Sequence, residues 1–228
     1  MLWWLSSARS RRRVWLRLSA RCLKSKTSSL IYLDNNMALS DAEALKTDRS
    51  AAADVLCGCA FCILTTAAFV EGFVRVEKFL PLCRRCDSYG TRWTCPPFDF
   101  DPMTIWHNYT GLLLYARILQ ADTPEQPLEE ALAALKREKL LYRDKLQQWE
   151  RDTPDSQMLL AGTCHECEAC EKTLGRPCKK PELLRYSIEA LGGDVEGCLQ
   201  QYFHMPMLWG RAGKAPDYLV LVGGLLLK

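Results

Sequence analysis

The middle of the chain carries the apolar run that decides its fold, Gly111-Leu-Leu-Leu-Tyr-Ala-Arg-Ile-Leu119. A run of this length and composition predicts a strand buried inside a sheet. A second run closes the chain between Tyr218 and Leu227 and predicts another core strand. Partial alternation of apolar and charged residues over 69–77 predicts a strand that leads into a cysteine-rich loop, and 158–161 predicts a short strand before a second such loop.

Helical patterns lie between these strands. Thr123-Pro124 opens the longest one, in which spacings of three, four and seven draw a single apolar stripe made of Leu128, Leu132, Leu135, Tyr142, Leu146 and Trp149. We predict further helices over 40–53, 181–191 and 195–202, and a buried helix that runs into a strand over 55–70. Together these elements predict an α+β single domain with a small mixed sheet, flanking helices and two cysteine-rich metal-binding loops; α/β is the alternative.

Charge is distributed unevenly along the 228 residues, whose net charge is +3. Of the 30 basic and 27 acidic residues, eight basic and one acidic residue fall within 1–36, which leaves 22 basic and 26 acidic residues, a net charge of −4, in 37–228. We divide the chain into a basic tail, 1–36, and a cysteine-rich metal-binding domain, 37–228. The tail has the composition of a mitochondrial targeting segment; the alternative, which we favour, is a mis-assigned start ahead of Met37.

Several classes of function are disfavoured by these patterns. The acidic body argues against nucleic acid as the main partner. No apolar run reaches the roughly 20 residues of a membrane-spanning helix, so we predict no membrane partner. The cysteines are clustered rather than spread like a disulfide framework, which predicts a reducing, cytoplasmic setting.

The strongest chemical signal is Cys164-His-Glu-Cys167-Glu-Ala-Cys170, followed by Cys178. Cysteines at this spacing let one loop wrap three corners of an iron–sulfur cube, with the fourth thiolate supplied from further along. Structural zinc more often uses paired C-x-x-C knuckles, so zinc is the alternative. We predict an iron–sulfur cluster, [4Fe-4S], as the cofactor of these four cysteines. His165 lies inside the motif, and we expect it to face solvent.

A second candidate site combines Cys83-Arg-Arg-Cys86 with Cys95-Pro-Pro97. Three thiolates leave one coordination position for another residue, water or a ligand. An open catalytic position and a purely structural site are equally compatible with this pattern. Basic residues crowd both loops, where they offset thiolate charge, dock an anionic partner or are simply solvated: Arg84, Arg85, Arg92, Lys172, Arg176, Lys179 and Lys180. For Cys57, Cys59 and Cys62 we favour apolar packing over ligation.

The two cysteine motifs together resemble those of a prokaryotic family of uncharacterised, predicted metal-binding proteins. The first signature is Cys83-x2-Cys86-x2-Tyr89-Gly90-x2-Trp93-x-Cys95-Pro96-Pro97. The second is Cys164-x2-Cys167-x2-Cys170, then Gly175-x-Pro177-Cys178-x2-Pro181-Glu182, then Ser187-x-Glu189-Ala190-Leu191-Gly192-x-Asp194-Val195. The resemblance runs from about residue 74 to 227 and implies metal binding through the seven cysteines. Ser187 and Glu189 are either groups that support the cysteine loop or an ordinary helix surface.

We therefore predict a metal-binding protein, an iron–sulfur protein with a redox or electron-transfer role and a redox partner protein. The alternative is a zinc-stabilised structural or adaptor module without catalytic activity. The sequence contains no phosphate-binding glycine loop and no serine nucleophile elbow. An enzyme that uses an open metal position at the Cys83 site would need a substrate pocket that the sequence does not reveal, so whether the chain is an enzyme is left open.

Overall fold

One five-stranded antiparallel sheet organises the residues that the structure describes. The computed structural model describes residues 29–31, 59–123 and 125–228. Its strands are β1 (Ser29–Ile31), β2 (Cys59–Thr65), β3 (Gly111–Gln120), β4 (Gln157–Leu159) and β5 (Tyr218–Leu227), arranged in the order β1-β2-β3-β5-β4. All four strand pairings are antiparallel. The α+β class is therefore confirmed, whereas the mixed sheet that we expected, and the α/β alternative with its parallel strands, are wrong.

The pairing of β3 with β5 forms the centre of the sheet. The two strands match over their whole length, from Gly111 opposite Leu227 to Gln120 opposite Tyr218. Gly224 is required there, because a Cβ atom at this position would stand 2.2 Å from the Leu113 carbonyl oxygen. Both apolar runs that were predicted to be core strands are therefore strands, and the structure shows that they are neighbours in the sheet.

Successive residues of β3 point to opposite faces of the sheet, and both sets of side chains are mostly apolar. Helices therefore cover both faces. Leu112 and Leu114 belong to a cluster that includes residues of α1 (Thr66–Phe73), α3 (Met103–His107) and α5 (Val195–Phe203). Leu113 and Tyr115 belong to a second cluster with α4 (Leu128–Asp152). The remaining helix, α2 (Val76–Cys83), ends on the first predicted metal ligand.

The predicted longest helix is confirmed as α4, although it begins at Leu128 rather than near Thr123. Tyr142, Leu146 and Trp149 of its apolar stripe are buried, whereas Leu132 is exposed. The predicted helix over 195–202 is confirmed as α5, which Asp194 caps by accepting a hydrogen bond from the Gly197 N–H at 2.8 Å.

Three local predictions are wrong. Residues 69–77 form the end of α1 and the start of α2 rather than a strand, because Phe69 and Phe73 are spaced for one helical face and stack there at 5.5 Å. Within the predicted segment 55–70, the described residues 59–70 form a strand followed by the start of a helix, the reverse of the expected order, because Thr65 ends β2 and caps α1. In 181–191 only Pro181–Leu183 is helical, as a 3-10 turn. The Leu160 N–H bonds instead to the Tyr186 carbonyl, which draws that segment alongside the sheet.

The basic tail contributes one described element. Ser29–Ile31, inside the predicted tail, pairs with Phe61 to Ile63 of β2 as strand β1. The predicted helix over 40–53 and residue Cys57 lie outside the described residues, and the division at residue 36 stays a prediction. Among the described helices, none combines the length and the apolar character needed to cross a bilayer.

Candidate metal centre

The first cysteine loop, residues 83–97, continues directly from α2. The Cys86 N–H donates to the Cys83 carbonyl at 2.9 Å, so that both thiols project from one turn. Gly90 has a φ of 69°, and its N–H donates to the Pro96 carbonyl at 2.7 Å, which closes the loop. Cys83 and Cys95 are half-buried, and Cys86 is exposed. The loop therefore presents its three thiols at different depths.

The second cysteine loop, residues 162–180, follows β4. It is folded by short local bonds, including one from the Glu166 N–H to the Cys164 Sγ at 3.5 Å. A 3-10 helix over Glu171–Leu174 ends at Gly175, whose φ of 63° turns the chain back towards Cys178. This return brings the fourth cysteine of the motif to the other three.

Four cysteines line a single pocket. Its volume is ≈ 370 Å³ including space open to solvent, and it is bordered by Arg92, Trp93, Thr94, Cys164, Glu166, Cys167, Cys170, Cys178, Lys180, Leu183 and Leu184. All four predicted cluster ligands are present, and each is half-buried. Thiols that surround one cavity are the donor set that an iron–sulfur cluster or a zinc ion takes in proteins.

The two loops are joined by side chains that donate to carbonyl oxygens. Arg92 donates to Cys164 at 3.2 Å, and Lys172 donates to both Cys95 and Pro97 at 3.0 Å. The Trp93 indole donates to Arg176 at 3.0 Å. These bonds place the first loop over the pocket of the second, so Arg92 and Lys172 have a structural role.

The other basic residues of the loops behave differently. Lys180 donates to the Glu166 carbonyl at 2.8 Å within the second loop. Arg176 and Lys179 form surface ion pairs with Glu171, at 3.6 and 2.6 Å. Arg84 and Arg85 are exposed. Their exposure is compatible both with solvated charge and with the docking of an anionic partner.

Burial and neighbouring thiols raise the pKa of two predicted ligands. The pKa of Cys164 is raised by burial and by the charges of Glu166, Cys167 and Cys178, although the Glu166 N–H opposes the shift. The pKa of Cys83 is raised by burial and then by Cys95, Cys86 and Glu189. Both shifts favour the protonated thiol, so a metal cation that binds these groups has to displace their protons.

His165 lies outside the cysteine pocket. It is exposed and lines a neighbouring pocket with Lys139, Arg143 and Cys164, among others. Burial and then the nearby cations, Lys139 first, lower the pKa of its imidazole. This position agrees with the solvent-facing orientation that we expected.

Two cysteines of the 57–62 cluster belong to the core rather than to a site. Cys59 and Cys62 are buried in β2, and they enter the clusters on opposite faces of the sheet. The Cys59 Sγ lies 3.4 Å from the Tyr115 hydroxyl. Both cysteines are therefore buried in the apolar core, and the Cys59 Sγ also accepts from the Arg117 guanidinium at 3.6 Å.

Comparison with known protein families agrees with the two motifs. Residues 71–227 match the family described as predicted metal-binding protein (DUF2284). The chain belongs to this family. No curated protein and no solved structure matches the chain.

The residues that match this predicted metal-binding family include both cysteine loops and the strands β3, β4 and β5. The side chains themselves are not gathered into a ligating arrangement: in residues 59–123 and 125–228, no three His, Cys, Asp or Glu side chains form a group that could hold a metal ion. The donor chemistry of the cysteine pocket nevertheless fits the group that the family description implies, because four thiols border one cavity.

Two contacts of the cysteine loops were not predicted from the sequence. Lys139 of α4 lies outside both motifs, yet its Nζ donates to the Thr163 carbonyl at 3.2 Å, next to Cys164. Trp93 belongs to the first motif, but nothing in the motif indicates its bond to Arg176. Partners that lie 24 and 83 positions apart leave no local signal.

Proposed function

We propose that this protein holds an iron–sulfur cluster, of the [4Fe-4S] type, at Cys164, Cys167, Cys170 and Cys178, and that it works in electron transfer or supports a reductive reaction. The observation that carries the proposal is the lining of one pocket by all four thiols. When bound, such a cluster supplies reversible one-electron chemistry at a potential set by hydrogen bonds and burial. Reduced thiols also require a reducing compartment, which supports a cytoplasmic location.

The chain's own residues prepare this pocket in three ways. The Glu166 N–H points at the Cys164 Sγ and favours its thiolate form. Lys180 borders the pocket and offsets the negative charge of four thiolates. Trp93, Leu183 and Leu184 supply apolar walls that limit the access of water.

The test is anaerobic purification followed by iron and sulfide analysis, visible absorption and electron paramagnetic resonance. We expect iron and sulfide in the wild type, and their loss in Cys167→Ser. Cys198→Ser is the matched control, because this buried thiol donates to the Val195 carbonyl at 3.2 Å and a serine can keep that bond. A colourless wild-type protein that contains stoichiometric zinc after anaerobic reconstitution would overturn the proposal.

A zinc-stabilised structural or adaptor module is the second candidate function. It is favoured by the small amount of regular structure in 84–97 and 160–194, where only two 3-10 turns are formed. Domains of this kind depend on a metal to order their loops. In that case Cys167→Ser lowers the free energy of unfolding, and the wild type shows no redox signal.

The proposal includes a redox partner protein with an acidic surface. Arg84 and Arg85 are exposed beside Cys86 and offer a positive patch at the first loop. Because exposed charges are screened by salt, electron transfer to an acidic partner should slow as ionic strength rises. Arg84→Gln combined with Arg85→Gln should weaken that salt dependence, and an unchanged dependence would remove this patch from the proposal.

A further inference from the structure

One buried hydroxyl at the cysteine pocket is left without a partner. Thr94 of the first cysteine loop is 4% exposed, and its Oγ1 makes no hydrogen bond with any residue that the structure describes. Thr94 also borders the pocket that Cys164, Cys167, Cys170 and Cys178 line. Buried hydroxyls nearly always have a partner, so a hydroxyl that lacks one beside a pocket points to an atom of the pocket's occupant as the missing partner.

Both chain neighbours of Thr94 are fastened to the second cysteine loop. The Trp93 indole donates to the Arg176 carbonyl, and the Cys95 carbonyl accepts from the Lys172 Nζ, each at 3.0 Å. Thr94 lies between these two bonds, so its backbone is held at the pocket from both sides. The position of the hydroxyl is therefore set by the same contacts that join the two loops.

The pocket offers sulfur atoms as acceptors for this hydroxyl. Among the other polar side chains that border it, Arg92 and Lys180 carry donors and no acceptor, and Glu166 pairs with Arg143 at 3.1 Å. A protonated thiol accepts hydrogen bonds weakly. A thiolate that holds a metal, or a sulfide of a cluster, is negatively charged and accepts more strongly. The hydroxyl of Thr94 thus matches the loaded pocket better than the empty one.

We propose that the Thr94 hydroxyl donates a hydrogen bond to a sulfur atom of the metal centre in this pocket, and that this bond raises the reduction potential of the centre. The effect on the potential rests on the iron–sulfur cluster of the proposed function, whereas the hydrogen bond itself requires only thiolate ligands. A hydrogen bond to sulfur stabilises the reduced, more negative state more than the oxidised state. In this way the first cysteine loop acts on a centre whose ligands belong to the second.

A redox titration followed by electron paramagnetic resonance tests this bond on the full chain, purified anaerobically with its cluster. Thr94→Val keeps the shape of the side chain and removes the hydroxyl, so the equilibrium constant for reduction should fall about tenfold, a midpoint potential lower by about 59 mV for a one-electron couple. Thr94→Ser keeps the hydroxyl and should stay near the wild-type potential. Thr91→Val is the matched control, because the Thr91 hydroxyl donates to the Asp87 carbonyl at 3.0 Å within the first loop. Its potential should equal that of the wild type.

Iron and sulfide analysis separates a failure of this bond from a failure of the proposed function. A wild type without iron and sulfide overturns the proposed function, and zinc affinity by chelator competition then tests the hydrogen bond to thiolate. Thr94→Val should weaken zinc binding at least about tenfold, because groups that hydrogen-bond to metal ligands contribute that much. A cluster-loaded Thr94→Val with the wild-type potential, or a zinc-binding one with the wild-type affinity, overturns the proposal.

The metal-free protein separates a bond to the centre from a bond within the chain. Without metal, Thr94→Val should leave the free energy of unfolding unchanged or raise it, because the substitution removes a buried hydroxyl for which the described residues supply no partner. A metal-free Thr94→Val that unfolds more readily than the wild type shows that protein or water holds the hydroxyl, and that result overturns the proposal.

Discussion

The sheet and the two cysteine loops are held together by different kinds of contact. β3 and β5 pair along ten residues each, and helices bury both faces of that pair. Between the loops, the contacts include isolated hydrogen bonds from long side chains to backbone carbonyls, such as those of Arg92 and Lys172. Apolar burial stabilises the sheet by itself, whereas such hydrogen bonds contribute only about 1 kcal/mol each. The sheet should therefore fold without metal, and the loops should not be fully ordered without it.

The largest effect is expected from removing apolar volume at the centre of the sheet. Leu114 in β3 is 0% exposed, so Leu114→Ala should lower the free energy of unfolding by about 2–5 kcal/mol. Leu141→Ala is the matched control, because Leu141 in α4 is 64% exposed and should change stability by less than about 0.5 kcal/mol. Denaturant unfolding measures both. Equal effects would show that the sheet is not the stabilising centre.

Removal of metal tests the other half of the comparison. At a free metal concentration of about 100 times Kd, binding contributes about 2.7 kcal/mol to the regions that it orders. A chelator should therefore accelerate amide hydrogen exchange in the two cysteine loops, residues 83–97 and 162–180, by up to about 100-fold. Exchange in β3 and β5 should stay unchanged. Uniform acceleration across the chain would mean that sheet and loops unfold as one unit.

Alkaline pH should weaken the packing of α4 on the sheet through two buried tyrosines, Tyr142 of α4 and Tyr115 of β3. Burial raises the pKa of Tyr142, whose hydroxyl donates to the Tyr115 carbonyl at 2.7 Å, and burial together with Cys59 raises the pKa of Tyr115. Both stay neutral in the folded state while the unfolded chain ionises near its ordinary pKa of 10.0. Their contribution is therefore complete below pH 10 and is lost as the pH rises above it, by about 1.4 kcal/mol per group and pH unit.

The Tyr142→Phe variant isolates this contribution. At neutral pH its free energy of unfolding should be about 1 kcal/mol lower than that of the wild type, because the hydrogen bond of the hydroxyl is lost. Above pH 10 its free energy of unfolding should fall less steeply than that of the wild type. Urea unfolding at a series of pH values measures the two slopes. Parallel slopes would show that Tyr142 ionises normally in the folded protein.

The same division explains what the sequence could predict. β3, β5 and α4 are dictated by local composition, because a long apolar run or a regular stripe has to be buried in one way. The cysteine spacing likewise indicated the four thiols that border one pocket. The helices over 69–83 were missed because alternation around Val74 resembles a strand, while the decisive Phe69–Phe73 contact depends on the helical period.

Contacts between distant segments could not be predicted from the pattern. Arg92 and the Cys164 carbonyl are 72 positions apart, and any of the basic residues near the cysteines could have made that bond. Glu189 was expected either to support a cysteine loop or to lie on a helix surface. The hydrogen bond from the Leu160 N–H to the Tyr186 carbonyl is incompatible with the predicted helix. Residues 187–192 form a turn instead, and the Glu189 Oε2 is buried there.

The smallest effect is expected from one bond network between the loops. Lys172 donates to the carbonyls of Cys95 and Pro97 and lies over the Trp93 ring at 5.4 Å. Lys172→Met keeps most of the apolar stem and removes the ammonium, so it should cost about 1 kcal/mol of local stability. Amide exchange in 93–97 should then be about fivefold faster, with β3 unaffected.

Lys179→Met provides the matched control for this last prediction. Lys179 has the same charge in the same loop, but its side chain is 59% exposed and forms its ion pair with Glu171 within the second loop. Exposed pairs of this kind contribute little, so exchange in 93–97 should equal that of the wild type. Equal acceleration in both variants would mean that positive charge near the thiols, rather than the bonds of Lys172 to the first loop, holds the loops together.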